Sequence, residues 1–235
     1  MADTLTIPAG FNGPQSSGNG GYAAGALAAF VGEPAEVTLR SPVPLDRELN
    51  VVGEADGAVR MLDGETLVCE GRGLDRLELE IPEPVSVNEA RRAMSAYRGV
   101  ADGEFSHCFV CGRARDDGFN VFAGEVEGRA LVASTWIPPT WAEGDARQVR
   151  RELVWGVLDC PTYFATHIEG ELSTAMLARI SAEVLAPVEI GAEHVVIGWP
   201  IEVEGRKHHA GSAVFSAEGQ LLAAARALMI EPRAG

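Results

Sequence analysis

Apolar residues along the chain fall into two textures, long runs that are apolar nearly all round and short β-rich runs broken by turns. Ala23 to Val31 is the first long run, rich in Ala and Leu, and predicts a helix buried on most sides. Ser16, Ser17, Gly18 and Asn19 precede it; Ser or Asn there can cap the helix, and Gly20 and Gly21 leave its first amides uncovered. Gly32 sits where a C-terminal stop belongs. A second helix is expected from about Glu152 to Thr166, with Pro161 kinking or ending it.

After the first helix come Glu36 to Leu39, Leu49 to Glu54, Ala58 to Leu62 and Glu65 to Arg72. They are short and β-rich, and the turns between them include Asp56-Gly57 and Asp63-Gly64. Pro82 to Asp102 reads as a bridge carrying a short helical patch from Asn88 to Tyr97. A strand pair is expected over Asn120 to Phe122 and Ala130 to Trp136. After the second helix, strands are expected at Met176 to Val184, His194 to Trp199, Gly211 to Ser216 and Leu221 to Ile230.

Two halves that each read as a helix followed by an antiparallel meander call for a check on self-similarity. Pro42-Val43-Pro44-Leu45, a three-residue gap and Leu49 to Gly53 match Pro187-Val188-Glu189-Ile190, the same gap and His194 to Gly198. Val59 to Leu67 aligns with Val214 to Leu222, an acidic-Gly turn lying between two strands in each. Chance matching of amphipathic β segments is the rival account; the shared order of elements favours duplication, with halves at 1–102 and 103–235.

Composition narrows the function. The 235 residues are 46% hydrophobic and 23% charged, which is ordinary globular composition. Against 19 basic residues stand 34 acidic ones, a formal charge of −15 that repels nucleic-acid phosphates and anionic lipid, so neither is an expected partner. No segment reaches the ~20 apolar residues of a membrane-spanning helix, and Met1 to Gly10 does not read as a signal peptide. Four cysteines in this length make no disulfide framework, and a cytoplasmic location is expected.

The order of elements resembles the hotdog fold, and two in tandem resemble the double-hotdog acyl-CoA thioesterases. His107 to Gly112 (HCFVCG) with Asp117-Gly118-Phe119 looks like the opening of small hotdog thioesterases related to phenylacetate-pathway enzymes. Leu153 to Ala165 resembles their central-helix motif, with a family acid at the position of Asp159, and Asn19-Gly20-Gly21-Tyr22 resembles the His-Gly-Gly or Phe-Gly-Gly start of that helix. The resemblance implies an α+β tandem hotdog, each half an antiparallel sheet wrapped around a central helix. It further implies hydrolysis of an acyl-CoA or related acyl thioester in a cleft between the halves. CoA is then part of the substrate; no bound cofactor is expected, since the chain has no nucleotide fingerprint. A homodimer is expected from edge pairing of such sheets.

Thioester hydrolysis needs an activated water or an attacking carboxylate, together with donors for the oxyanion. Amides at a helix N-terminus are such donors, and Gly20 and Gly21 would let a carbonyl approach them; Gln15 could add a side-chain amide. Asp159, the lone acid in an apolar helix, is by resemblance the general base or nucleophile. The residues alone also allow it to cap a short helix beginning at Cys160-Pro161.

The first half has Ala26 and Leu27 where the family acid should stand, and the second has Arg150, Arg151 and Glu152 where its Gly-Gly should stand. One composite site is therefore expected, Gly20 and Gly21 facing Asp159. Asn19, Tyr22, Trp155 and Tyr163 are candidates to contact substrate; for the aromatics the competing reading is core packing. Asn19 departs from the family His and cannot transfer protons at neutral pH. That departure keeps open a non-catalytic acyl or CoA-ester binding protein, and release of free thiol from acyl-CoAs discriminates the two. A hydratase of the same fold would need an Asp/His pair that is not found.

Cys108 and Cys111 form a lone CxxC with too few partners for a zinc site, so no metal is expected. Cys160 reads as a buried core thiol and His208-His209 as a solvated hairpin loop.

Overall fold

The computed structural model describes residues 3–99, 102–168 and 175–233. In chain order the elements are β1 (Asp3–Thr6), α1 (Gly20–Ala28), β2 (Ala35–Leu39), β3 (Glu48–Gly53), β4 (Val59–Asp63) and β5 (Thr66–Gly73). Next come α2 (Val87–Ala93), β6 (Gly124–Glu125), β7 (Val132–Trp136), α3 (Arg151–Ala165), β8 (Met176–Val184), β9 (His194–Glu204), β10 (Lys207–Ser216) and β11 (Leu221–Ile230). Short 3-10 turns lie at Ala9–Phe11, Met94–Ala96, Thr140–Ala142 and Asp145–Arg147.

Among the described residues, one 11-stranded sheet has the order β1-β3-β4-β5-β2-β8-β11-β10-β9-β7-β6. Every strand pair in it is antiparallel. Reading outward from the middle, β2-β5-β4-β3 on one side faces β8-β11-β10-β9 on the other. In each set the first strand after the long helix lies innermost and the next three form a meander. The seam is β2 against β8, with Ala35 opposite Ala182 and Val37 opposite Ile180. The two sequence segments matched above, Val59 to Leu67 and Val214 to Leu222, span the β4–β5 and β10–β11 hairpins. Their turns place Gly64 and Gly219 at φ 60° and 88°.

Both long helices lie on one face of the sheet. α1 packs on β2, β5 and β8, α3 packs on β7 to β11, and the helices pack on each other. Alternation along the strands sets this arrangement. Val196, Val214, Ala223 and Ala225 point into the main core with the helices, whereas Val195, Ile197, Ala213, Phe215 and Ala224 point the other way. That second face is covered by Ala90 and Ala93 of α2 and by Leu77, Leu79, Ile81 and Val85 of the linker. Ser86 and Glu89 cap α2 reciprocally, the Glu89 carboxylate accepting from the Ser86 amide at 2.9 Å.

Several expectations are corrected. α1 starts at Gly20, where Asn19 caps it through a 2.9 Å bond from Tyr22 N to Asn19 Oδ1, but it ends at Ala28 and does not run on to Val31. Pro161 neither ends nor breaks α3, which runs on to Ala165. Asn120 to Phe122 is not a strand; Asn120 has φ 56°, and pairing with β7 begins only at Gly124. His208 and His209 are not in a loop: the turn is made at Gly205, φ 59°, and both histidines are half-buried in β10 opposite Val203 and Glu202. β1, which pairs with β3 along the edge, was not expected. No helix among the described residues is long and apolar enough to cross a membrane.

Candidate active site

α1 and α3 approach closely enough that glycine is required where they touch. A Cβ on Gly25 would lie 2.7 Å from Glu152 Cα and 2.7 Å from Trp155 Cβ. One turn earlier, a Cβ on Gly21 would lie 2.5 Å from the Trp155 carbonyl oxygen and 2.6 Å from Asp159 Cβ. This contact overrides the low helix propensity of glycine and delivers Asp159 to the start of α1.

Asp159 lies in the interior of α3, so it does not cap a helix beginning at Cys160. Its Oδ2 accepts a hydrogen bond from Gly21 N at 2.9 Å. The side chain is 7% exposed. Burial raises its carboxyl pKa to about 7, against the lowering effect of the Gly21 amide. A carboxyl held there can take up a proton near neutrality.

The amides of the first turn of α1 are thereby apportioned. Tyr22 N goes to the Asn19 side chain, Gly21 N to Asp159, and Gly20 N has no hydrogen-bond partner among the described residues. Gly20 also lines a cavity of about 440 Å³. The cavity wall includes Asn19, Asp159, Cys108, Cys111 and Cys160, with apolar cover from residues such as Leu39, Leu177 and Met229. Its size and mostly apolar lining suit a small organic ligand.

The structure brings some sequence-nominated residues together here and leaves others out. Asn19, Gly20, Asp159 and Tyr163 line the cavity. Gly21 reaches the site through its amide. Gln15 is exposed and lies outside the lining. Tyr22 is stacked on Phe11 with ring centroids 4.4 Å apart, away from the cavity wall. Trp155 is fully buried, its Nε1 donating to Glu33 Oε1 at 2.8 Å, and also lies outside the lining. For these two aromatics core packing is what the structure displays.

Sequence reasoning missed a thiol cluster. The Sγ atoms of Cys108, Cys111 and Cys160 all lie within 4.8 Å of one another, and those of Cys108 and Cys160 are 3.7 Å apart. Asn19 Nδ2 sits 3.9 Å from both Cys108 Sγ and Cys160 Sγ. Hydrogen bonds from the Cys111 and Cys160 thiols lower the Cys108 thiol pKa, while their bonds to Cys108 hold the other two thiols up. The CxxC was visible in the chain, but Cys160, 52 residues beyond Cys108, carried no local signal of joining it.

No family model matches the chain, and no curated protein matches it in sequence. Solved structures match it in three dimensions. One is the crystal structure of a conserved protein of unknown function with a hot dog fold from Alicyclobacillus acidocaldarius. It covers 99% of this chain and 93% of its own at TM-score 0.62 and 13% identity. Another, described as a thioesterase superfamily protein, covers 60% of this chain and 67% of its own at TM-score 0.50 and 20% identity. Likeness at such identities carries the fold and leaves the chemistry to the site. The chain has a hotdog fold.

Proposed function

We propose that the chain hydrolyses an acyl-CoA or related acyl thioester in the cavity between α1 and α3. In this reading the thioester carbonyl oxygen docks on Gly20 N, at the positive end of α1, where an amide lines the cavity without a partner among the described residues. Asp159 either takes a proton from water as that water adds to the carbonyl carbon and passes it to the thiolate as the C–S bond breaks, or attacks the carbon itself, expelling the thiolate and forming a mixed anhydride that water then hydrolyses, its protons going to the thiolate and the released acid. The Gly21 amide fixes the carboxylate, and Tyr163 with the apolar wall receives the acyl group or the pantetheine arm.

The observation that carries this reading is the convergence of Asp159 with the N-terminal amides of α1. The matching strand orders either side of the β2–β8 seam support a tandem double hotdog with halves at 1–102 and 103–235. They also support a single composite site, since the α3 N-terminus is occupied by Arg150, whose guanidinium lies 5.5 Å from the centroid of the Phe11 ring. The cavity's walls are drawn from both halves.

A second reading, an acyl or CoA-ester binding protein without hydrolysis, is favoured by one observation: Asn19, which supplies no proton transfer, occupies the helix start. A panel of acyl-CoAs of differing chain length separates the two. Time-dependent release of free thiol supports hydrolysis; a thermal shift with every member and thiol release from none supports binding alone.

A further inference from the structure

We propose that Cys108, Cys111 and Cys160 together bind a thiophilic divalent cation, Zn²⁺ being the model, with a fourth coordination position open toward the cavity. The inference stands on the thiol cluster and holds whether or not the cavity hydrolyses thioesters.

Tetrahedral zinc with Zn–S bonds of about 2.3 Å spaces its sulfurs about 3.8 Å apart. Cys108 and Cys160 already sit at 3.7 Å, and Cys111 lies within 4.8 Å of both. Small side-chain rotations close the remainder. All three are buried, and all three line the cavity, so an ion has both exclusion from bulk water and a way in.

The surrounding shell suits thiolates. Cys108 and Cys111 stand on one CxxC turn, the spacing that offers two sulfurs to one metal ion. That turn is tight: Gly112 N donates to Cys108 O at 2.8 Å, and a Cβ on Gly112 would lie 2.6 Å from Cys108 N. Tyr97 Oη donates to Cys111 O at 2.5 Å and holds the turn from the other side. Asn19 points its amide nitrogen at two of the sulfurs, because its oxygen is committed to capping α1. Three thiolates on a divalent ion leave one net negative charge, and the Asn19 amide offsets it in part. The fourth vertex faces the cavity, where water or a ligand thiol can fill it.

The experiment titrates the full-length, reduced, chelator-stripped chain with Co²⁺ in the absence of oxygen. One equivalent bound per chain, with thiolate-to-cobalt charge-transfer absorption and displacement by Zn²⁺, is the expected result. Cys160→Ser weakens binding at least ~10-fold, the scale on which even outer-shell changes act, while Cys69→Ala, a buried cysteine outside the cluster, binds as the parent does. If Cys160→Ser does not fold, Cys111→Ser carries the same expectation. Absence of charge-transfer absorption in the parent chain, binding unchanged in the ligand variants, or a Cys108–Cys160 disulfide that resists reduction overturns the proposal.

Discussion

Asp159 and Gly21, separated by 138 residues in the chain, meet as carboxylate oxygen and backbone amide at 2.9 Å. The bond spans two helices whose approach tolerates no side chain at Gly21. Gly21→Ala therefore pushes α3 away and takes Asp159 off the start of α1. Overpacking of this kind costs about 1–3 kcal/mol. The expected outcome is a lowered melting temperature together with loss of any thioester hydrolysis, read by calorimetry and thiol release on the same preparation.

Gly25→Ala separates stability from chemistry. Its Cβ would strike Glu152 and Trp155 one turn from the cavity. A cost of about 1–3 kcal/mol is expected, and in a chain this long that lowers the melting temperature by roughly 2–4 °C per kcal/mol. A variant as stable as the parent would show that the helices are not in glycine-limited contact.

Glu33 fastens α3 to the sheet from outside the site. Its carboxylate accepts from Trp155 Nε1 at 2.8 Å, from Val184 N at 2.7 Å and from Arg151 Nη1 at 2.6 Å. Glu33→Ala leaves a buried indole N–H and a backbone amide unpaired, at a cost of about 2–4 kcal/mol. Denaturant unfolding checks it, and the midpoint should fall.

Acid sensitivity should trace in part to His194. It is 2% exposed, its Nδ1 has no hydrogen-bond partner among the described residues, and burial holds its pKa below the ordinary value despite the backbone contacts at Ala192 and Trp136 and the nearby Glu189 and Glu218. Between that lowered value and the unfolded value of about 6.5, the unfolded chain binds more protons than the folded one. Stability therefore rises with pH through that window and is lost as pH falls below about 6.5. In His194→Gln the drop in melting temperature between about pH 7.5 and about pH 5.5 should be smaller than in the parent; an equal drop assigns the sensitivity elsewhere.

Much of this arrangement was legible in the chain, and the misreadings have physical causes. Asp159 stood out because a lone acid in an apolar helix demands a partner, and the partner proved to be the Gly21 amide. The start of α1 was legible from Asn19, a capping residue, ahead of Gly20 and Gly21; helix–helix contact, which the chain does not display, is what requires glycine at residue 21. Trp155 and Tyr22 were nominated for substrate because sequence neighbourhood cannot tell which side of a helix meets a cavity; their partners, Glu33 and Phe11, lie on other elements. His208 and His209 looked solvated because polar residues flank a turn, but the turn closes at Gly205 and the strand has begun by Lys207. The thiol cluster needed Cys160 brought beside a loop 52 residues earlier, which no local pattern encodes.

The most direct test is free-thiol release from acyl-CoA by the parent chain and by Asp159→Asn, each with its melting temperature. Asparagine keeps an oxygen for Gly21 N but removes the carboxylate, so hydrolysis should fall at least ~10²-fold with no loss of thermal stability. Undiminished hydrolysis in that variant would contradict the account.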